Sequence, residues 1–395
     1  MFRPQIQKTR VLFSLAVFCI LMVYIALKSI VIEKTIGFPE KMEAAEIMKK
    51  CLSILYNEVN NEKISIDIDP FQTGLIFDDR ESPMITYGGG NTPSLESKQT
   101  VLKPNFAALI VDLFIKIDLT SGDTIAVGMT GSFPGSNIAI LSACKAMGIV
   151  PIIITSIGGS EWGAIDSNFT WLDLEKSLFD SGVISHRSKA VSLGGYSDMY
   201  DINPYNGYGG PEGKRLAEKA IKRNDIKRIV NDKKERVSDR EEIYKTNIND
   251  QLLANYSAFV NIGGGVGSIG IKGKTIYGWG ILDINKVAAD ERDYNMSGII
   301  KEFAKNNVHL INIQQINKLI KDEDGRELIK YGVNRNAPEV TGEGLLFYSE
   351  VYTLNTLLVT LLTLISTLGI VVAIGINSFH QINKHMNTYE TESIL

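Results

Sequence analysis

Residues that carry nucleophilic and metal chemistry are scarce in this chain. Its 395 residues include three cysteines, four histidines and three tryptophans. Three cysteines, Cys19, Cys51 and Cys144, exclude a disulfide scaffold and a cysteine-rich zinc site. No grouping of His, Cys, Asp and Glu has metal-ligand spacing, so neither a metal nor a cofactor is expected. A basic surplus is also lacking. Lys and Arg number 41 against 45 Asp and Glu, a net charge of −4, which argues against a nucleic-acid partner. Finally, charge is absent from two long stretches, Val11–Leu27 and Val351–Ile376.

Those uncharged stretches organise the chain. The second is long enough to span a bilayer; the first spans if Lys28 snorkels and the helix continues to Ile32. A cleaved signal peptide is the other reading of the first, but KSIVIEK after it lacks a small-x-small site. Arg3, Lys8 and Arg10 precede the first span and Lys384 follows the second, which places both tails in the cytoplasm. Lys28 and Lys34 pull the other way. The expected protein is therefore two-pass in the cytoplasmic membrane. Residues 1–10 and 377–395 are cytoplasmic tails, 11–32 and 348–376 are transmembrane helices, and 33–347 form an extracytoplasmic domain. That domain holds 36 basic and 42 acidic residues. A Cys51–Cys144 bridge is open to it, but two lone cysteines read better as buried small hydrophobes.

Strand-like and helix-like segments alternate through the domain. Helices are expected at Pro39–Val59, Pro104–Ile117, Trp171–Asp180, Pro211–Asn224 and Asp239–Tyr256, with shorter ones near Ser297–Asn306 and Ile313–Lys321. Strands are expected at Thr124–Met129, Ile149–Thr155, Lys189–Leu193 and Ala258–Ile262, and near Thr275–Leu282 and Val308–Ile311. This alternation predicts an α/β fold, a Rossmann-like, mostly parallel sheet with helices on both faces, flanked by N- and C-terminal transmembrane helices. The irregular stretch Gly74–Thr100, with Gly88-Gly89-Gly90, reads as a surface loop.

The central unit is Asp123–Ser160, a strand, a glycine-rich turn, a helix apolar nearly all round, and a second strand. Ligands of open α/β sheets bind where strands end and helices begin. The turn offers Thr130, Gly131, Ser132, Gly135, Ser136 and Asn137 as candidate binding residues. Ser160 and Glu161 in the next turn join them, as do Gly263, Gly264 and Gly265 after the strand Ala258–Ile262. Backbone N–H groups and the dipole of a helix starting at Ser136 suit a carboxylate or phosphate. A nucleophilic reading takes Ser132 with His186 as base and Asp166, or Glu161, as the third member. Thr130-Gly131-Ser132-Phe133-Pro134 departs from Gly-x-Ser-x-Gly. Gly265-x-Gly267-x-x-Gly270 matches the dinucleotide fingerprint, but IKGKTIYGWGIL after it reads as a hairpin where a helix is required. Gly213–Arg240 carries eleven Lys or Arg against five acids, either a face for an acidic polymer or a solvated helix of mixed charge.

Several blocks carry a family resemblance: GLIFDDRESPMIT, PNFAALIVDLF, TIAVGMTGSFPGSNIAILSACKAMGI, SIGGSEWGA, FTWLDLEK and VNIGGGVGSIG. Together, over about Gly74 to Gly270, they resemble the poly-γ-glutamate system protein family of bacteria. The resemblance implies a role in making, exporting or retaining an anionic glutamate polymer at the membrane, beside synthase and export components. It implies no catalytic residue. Two functions follow as expectations. One is an accessory whose outer domain binds or guides the polymer. The other is a serine-type hydrolase or transferase acting on γ-glutamyl chains through Ser132.

Overall fold

The computed structural model describes residues 9–28, 30–58, 75–76, 82–87, 93–196, 198–204, 207–229, 235–271, 277–292, 294–332, 340–352 and 354–392. It forms two compact units. The smaller joins the chain up to Lys34 with the chain from Tyr348 onward; the larger is Thr35–Phe347.

In the smaller unit, α1 spans Thr9–Lys28 and β1 spans Ile30–Lys34. β1 pairs antiparallel with β11, Tyr348–Tyr352, and a helix of 39 residues runs Leu354–Glu392. The first uncharged stretch is thus helical only to Lys28, because Ile30–Lys34 is taken into a strand. Likewise the helix expected from residue 348 begins at Leu354, after β11. Among the described residues, one helical segment, Leu357–Lys384, is long and apolar enough to cross a membrane.

The larger unit is α/β. Its seven-stranded sheet has the order β7–β6–β4–β3–β8–β10–β9. The strands are β3 (Thr124–Thr130), β4 (Val150–Ser156), β6 (Ala190–Ser192), β7 (Lys227–Arg228), β8 (Ala258–Ile262), β9 (Gly280–Ile281) and β10 (His309–Ile313). Every neighbouring pair is parallel except β9 with β10. A further pair, β2 (Ile85–Tyr87) with β5 (Gly159–Ser160), is also parallel.

Helices cover both sheet faces. On one lie α2 (Phe38–Glu58), α4 (Asn105–Ile115) and α5 (Pro134–Met147), packed on one another. On the other, Tyr244 and Phe303 join Ala126, Phe259 and Leu310 of the sheet in one buried cluster. Phe259 stacks on Phe303 at 4.6 Å, and Tyr244 meets Phe303 edge-on at 5.3 Å. Period-two alternation explains the sorting: Ala126 faces this cluster, while its neighbours Ile125 and Val127, also fully buried, face α5. Cys51 and Cys144, on packed helices α2 and α5, are buried free thiols. Burial pushes Cys51 up to about 12 and raises Cys144 as well, so neither is a ready nucleophile.

Four stretches of the larger unit differ from the sequence expectation. Gly74–Thr100, expected as a surface loop, holds β2 and, among its described residues, a helix at Leu95–Thr100 with Ser97–Thr100 buried. Pro134, expected in the turn, opens α5 at its first position, where its missing N–H costs nothing. The helix expected over Asp239–Tyr256 stops early: α8 is Arg236–Thr246, followed by 3-10 turns at Asn249–Gln251 and Leu253–Asn255. Positive φ at Asp250 and Gln251 breaks the helix. Tyr256 still reaches the core, whereas Leu252, placed on the apolar face by helical spacing, is exposed. The strand expected near Thr275–Leu282 is reduced to Gly280–Ile281, with residues 272–276 outside the described set.

Candidate functional site

β3 is followed by β4 on one side, and β8 comes in on its other side. The strand order therefore reverses between β3 and β8, and their C-terminal ends open a crevice. A cleft of about 560 Å³ lies there. Thr130 and Ser132 line it at the end of β3, Ser156 and Ser160 at the end of β4, Gly263–Gly265 after β8, and Gln314 after β10. Among its described lining residues none is a carboxylate, a histidine, a lysine or an arginine. Hydroxyls, amides, glycines and two tyrosines, Tyr196 and Tyr331, make most of the wall.

One cation sits just behind that wall. Lys98, on the short helix α3 (Leu95–Thr100), is 2 % exposed. Its Nζ donates to the Ser132 carbonyl and, at 2.9 Å, to Ser160 Oγ. It also lies 4.1 Å from the centroid of the Phe133 ring, whose face favours positive charge. Three hydroxyls of the wall are used in one sense only. Thr130 Oγ1 accepts from Ser132 N at 3.3 Å, Ser132 Oγ accepts from Ser160 N at 3.1 Å, and Ser160 Oγ accepts from Lys98. Among the described residues nothing accepts from these three hydroxyls. Each has its own proton left to donate, and Lys98 polarises the one on Ser160. Together they form a cradle of donors suited to an oxyanion.

Ser156 is different. Its hydroxyl is 2.9 Å from Ser192 Oγ, which donates to Asp198 Oδ1 at 2.8 Å and accepts from Arg240 Nη2 at 2.7 Å. Arg240 also pairs with Asp198 at 2.7 Å, both being buried. With Ser192's proton given to Asp198, Ser156 must donate to Ser192. Ser156 therefore turns its lone pairs, not its proton, outward.

The glycine loop after β8 continues this scaffold. Gly263, at φ 79°, packs so closely that a Cβ would lie 2.4 Å from Thr130 Oγ1. At Gly267 a Cβ would meet the Arg240 guanidinium at 2.1 Å. The helix opened by this loop, α9, is only Val266–Ile269, and of the hairpin expected after it residues 272–276 lie outside the described residues. The fingerprint glycines make room for Arg240 and for close backbone packing, and a four-residue helix does not supply a pyrophosphate site.

The sequence candidates divide accordingly. Thr130, Ser132, Ser160, Gly263, Gly264 and Gly265 are brought together at the cleft. Gly131 lies beneath it, its N–H and carbonyl bonded to Ser156 and Ala164. Gly135, Ser136 and Asn137 are buried in the first turn of α5 rather than at the cleft. A Cβ on Gly135 would lie 2.5 Å from the Val101 carbonyl, so protein, not ligand, fills that side of the turn. Asn137 donates to the Thr130 carbonyl at 2.9 Å and steadies the turn from behind. Glu161 accepts from the Tyr208 hydroxyl at 3.1 Å, away from the cradle.

The triad does not assemble. His186 precedes β6, on the side of the sheet where the strands begin, while Ser132 follows β3 at the side where they end. Burial, and then Lys189, lowers the His186 pKa. Asp166 bonds within its own loop, to Asn168 N at 2.8 Å. The basic segment is also drawn into pairs: Arg215 with Glu212, Arg223 with Asp173, Arg228 with Glu218, and Arg240 with Asp198. It reads as helix surface of mixed charge.

Lys98, Gln314, Tyr331 and Ser97 were not singled out from sequence. The pair Gln314-Gln315, directly after an apolar strand, was the available signal, since ligands gather where parallel strands end. Gln315 has a strained backbone, φ 48°, at the cleft. Nothing local marks Lys98 as buried. Gly88–Gly90 lie outside the described residues. Among the described residues no group of three or more His, Cys, Asp and Glu side chains is placed to hold a metal. No family model, curated protein or solved structure matches the chain.

Proposed function

We propose that this is a membrane-anchored accessory protein that binds an anionic chain, of the poly-γ-glutamate kind, in the cleft between β3 and β8. The supporting observation is the donor cradle of Thr130, Ser132 and Ser160 with Lys98 behind it, in a cleft whose described lining has no carboxylate. The identity of the polymer rests on the resemblance of the sequence blocks, not on the geometry. The anchoring part of the reading has two spans, cytoplasmic tails and an extracytoplasmic binding domain. The apolar segment Leu357–Lys384 supports one of those spans. The partners in this reading are the polymer and the membrane components that make and export it.

The test is titration of the full chain, in detergent micelles, with polyglutamate at several salt concentrations. Saturable binding that weakens with salt is expected. Ser160→Ala should weaken it more than Ser132→Ala, by about tenfold or more, because a charge-assisted hydrogen bond contributes about 1.5–3 kcal/mol. No saturable binding at low salt removes the reading.

A second reading, hydrolysis or transfer of γ-glutamyl chains through Ser132, is favoured by one observation, the buried Lys98 bonded to the Ser132 carbonyl and to Ser160. Polymer shortening by the purified protein, lost in Ser132→Ala, is its expected signature. Unchanged polymer length removes it.

A further inference from the structure

The cleft has a second chemical side. Gln314 follows β10, lines the cleft and is 3 % exposed. Its Nε2 donates to the Gly263 carbonyl, which also accepts from Asn261 Nδ2 at 2.8 Å. Its Oε1 is buried and, among the described residues, has no hydrogen-bond partner. The opposite amide orientation would set two oxygens against each other, so the donor contact fixes which atom is left over. A buried amide oxygen without a donor is costly and calls for one. The cleft is where that donor can enter.

The two sides are one glycine apart. Gly263 holds Gln314 through its carbonyl and packs against the Thr130 hydroxyl with no room for a Cβ. Protons to give therefore stand at Thr130, Ser132 and Ser160, and a lone pair to fill stands next to them at Gln314. An inorganic anion would satisfy the first group and leave Gln314 as it is. A ligand that satisfies both carries an oxyanion and, a few bonds away, an N–H.

We propose that the cleft recognises a carboxylate bearing a neighbouring amide or amine N–H, the chemistry of an acidic amino acid or an amide-linked acid, and that Gln314 Oε1 accepts that N–H. This rests on the anion-cradle reading above and narrows it: polyphosphates and polyacids without N–H groups would bind less well at equal charge. Gln314 is a specificity residue in this scheme, and Ser132 and Ser160 supply the affinity for the anion.

The experiment varies the ligand and keeps the protein whole. Full-length chain in detergent micelles is titrated calorimetrically with three probes: a γ-linked glutamyl trimer, the same trimer with each amide N–H replaced by ester oxygen and its terminal amine by a methoxy group, and inorganic phosphate. The amide trimer should bind at least about tenfold tighter than the ester, since the ester places an acceptor against an acceptor. In Gln314→Leu, checked for an unchanged circular dichroism spectrum, that ratio should fall to about one while affinity for the ester is kept or improved. Should Gln314→Leu not fold, the amide-to-ester ratio on the wild-type chain decides alone. Equal binding of amide and ester, or phosphate binding as tightly as the amide, overturns the inference and leaves the anion cradle standing. Binding of none of the three overturns both.

Discussion

Two glycine-rich turns meet at the sheet's edge, Thr130–Gly135 after β3 and Gly263–Gly270 after β8, and they use glycine for different ends. In the first, small residues let the turn lie against other backbone, Gly135 under the Val101 carbonyl, while the hydroxyls between them face the cleft. In the second, Gly267 clears a path for Arg240, whose buried pair with Asp198 anchors the loop from behind. One turn presents chemistry and the other is a seat for it. Glycine content alone does not tell them apart, because both need backbone close to something; what differs is whether that something is protein.

The division can be broken at the seat. Asp198→Ala leaves Arg240 buried without its partner and should cost about 3–5 kcal/mol in denaturant unfolding of the full chain. It also frees the Ser192 proton and with it the fixed orientation of Ser156. An unfolding midpoint within error of wild type would mean the loop is not held through Arg240.

A pH effect of the next size belongs to neither turn. Glu175 is fully buried on α6 (Trp171–Asp180), accepting from Ser188 N at 3.1 Å and Ser188 Oγ at 2.8 Å. Burial pushes it up to about 7, the Ser188 bonds and Arg187 opposing. The folded chain thus holds a proton that the unfolded chain releases near 4.5. Its contribution is present in full below about pH 4.5, declines as pH rises, and is lost above about 7, a change on the order of 3 kcal/mol. Glu175→Gln should flatten that part of a thermal-unfolding pH series without moving ligand affinity. A slope that survives the substitution assigns it to another group.

Within the glycine loop itself, neighbours should behave unlike one another. Gly267→Ala drives a methyl into Arg240 and should cost about 1–3 kcal/mol. At Gly264 a Cβ meets nothing within 4 Å, so Gly264→Ala should leave stability nearly unchanged. Equal losses at both would contradict the seat. The smallest effect is expected on the basic helix: Arg215→Ala, at an exposed i,i+3 pair, should change neither the unfolding midpoint nor polyglutamate affinity. A clear loss of affinity there would restore that face as a docking surface.

Much of the frame was legible along the chain. Thr124–Thr130 and Ala258–Ile262 are short apolar runs that stop at glycine, and each is a central parallel strand. The helix Trp171–Asp180 was bounded by Gly182 just beyond its end, and its capping box at Thr170, though not read, is equally local. Such features depend on residues within a few positions of each other, so periodicity and caps report them. The long C-terminal apolar segment is of the same kind. What lay beyond sequence reading was contact across distance. The turn at Ser132 was marked as a site, but what completes the cleft comes from elsewhere: Lys98, bonded to the Ser132 carbonyl, from 34 residues before it, and Gln314, bonded to Gly263, from beyond β10. His186 was chosen because histidines are few, and the direction of β6 puts it at the wrong end of the sheet. The sequence by itself determined which segments are strands, which are helices and where small residues cluster, because local sterics and alternation set these. Only the tertiary structure decided which hydroxyl has a proton to spare and which amide oxygen has none to accept, because that depends on every other bond each atom makes.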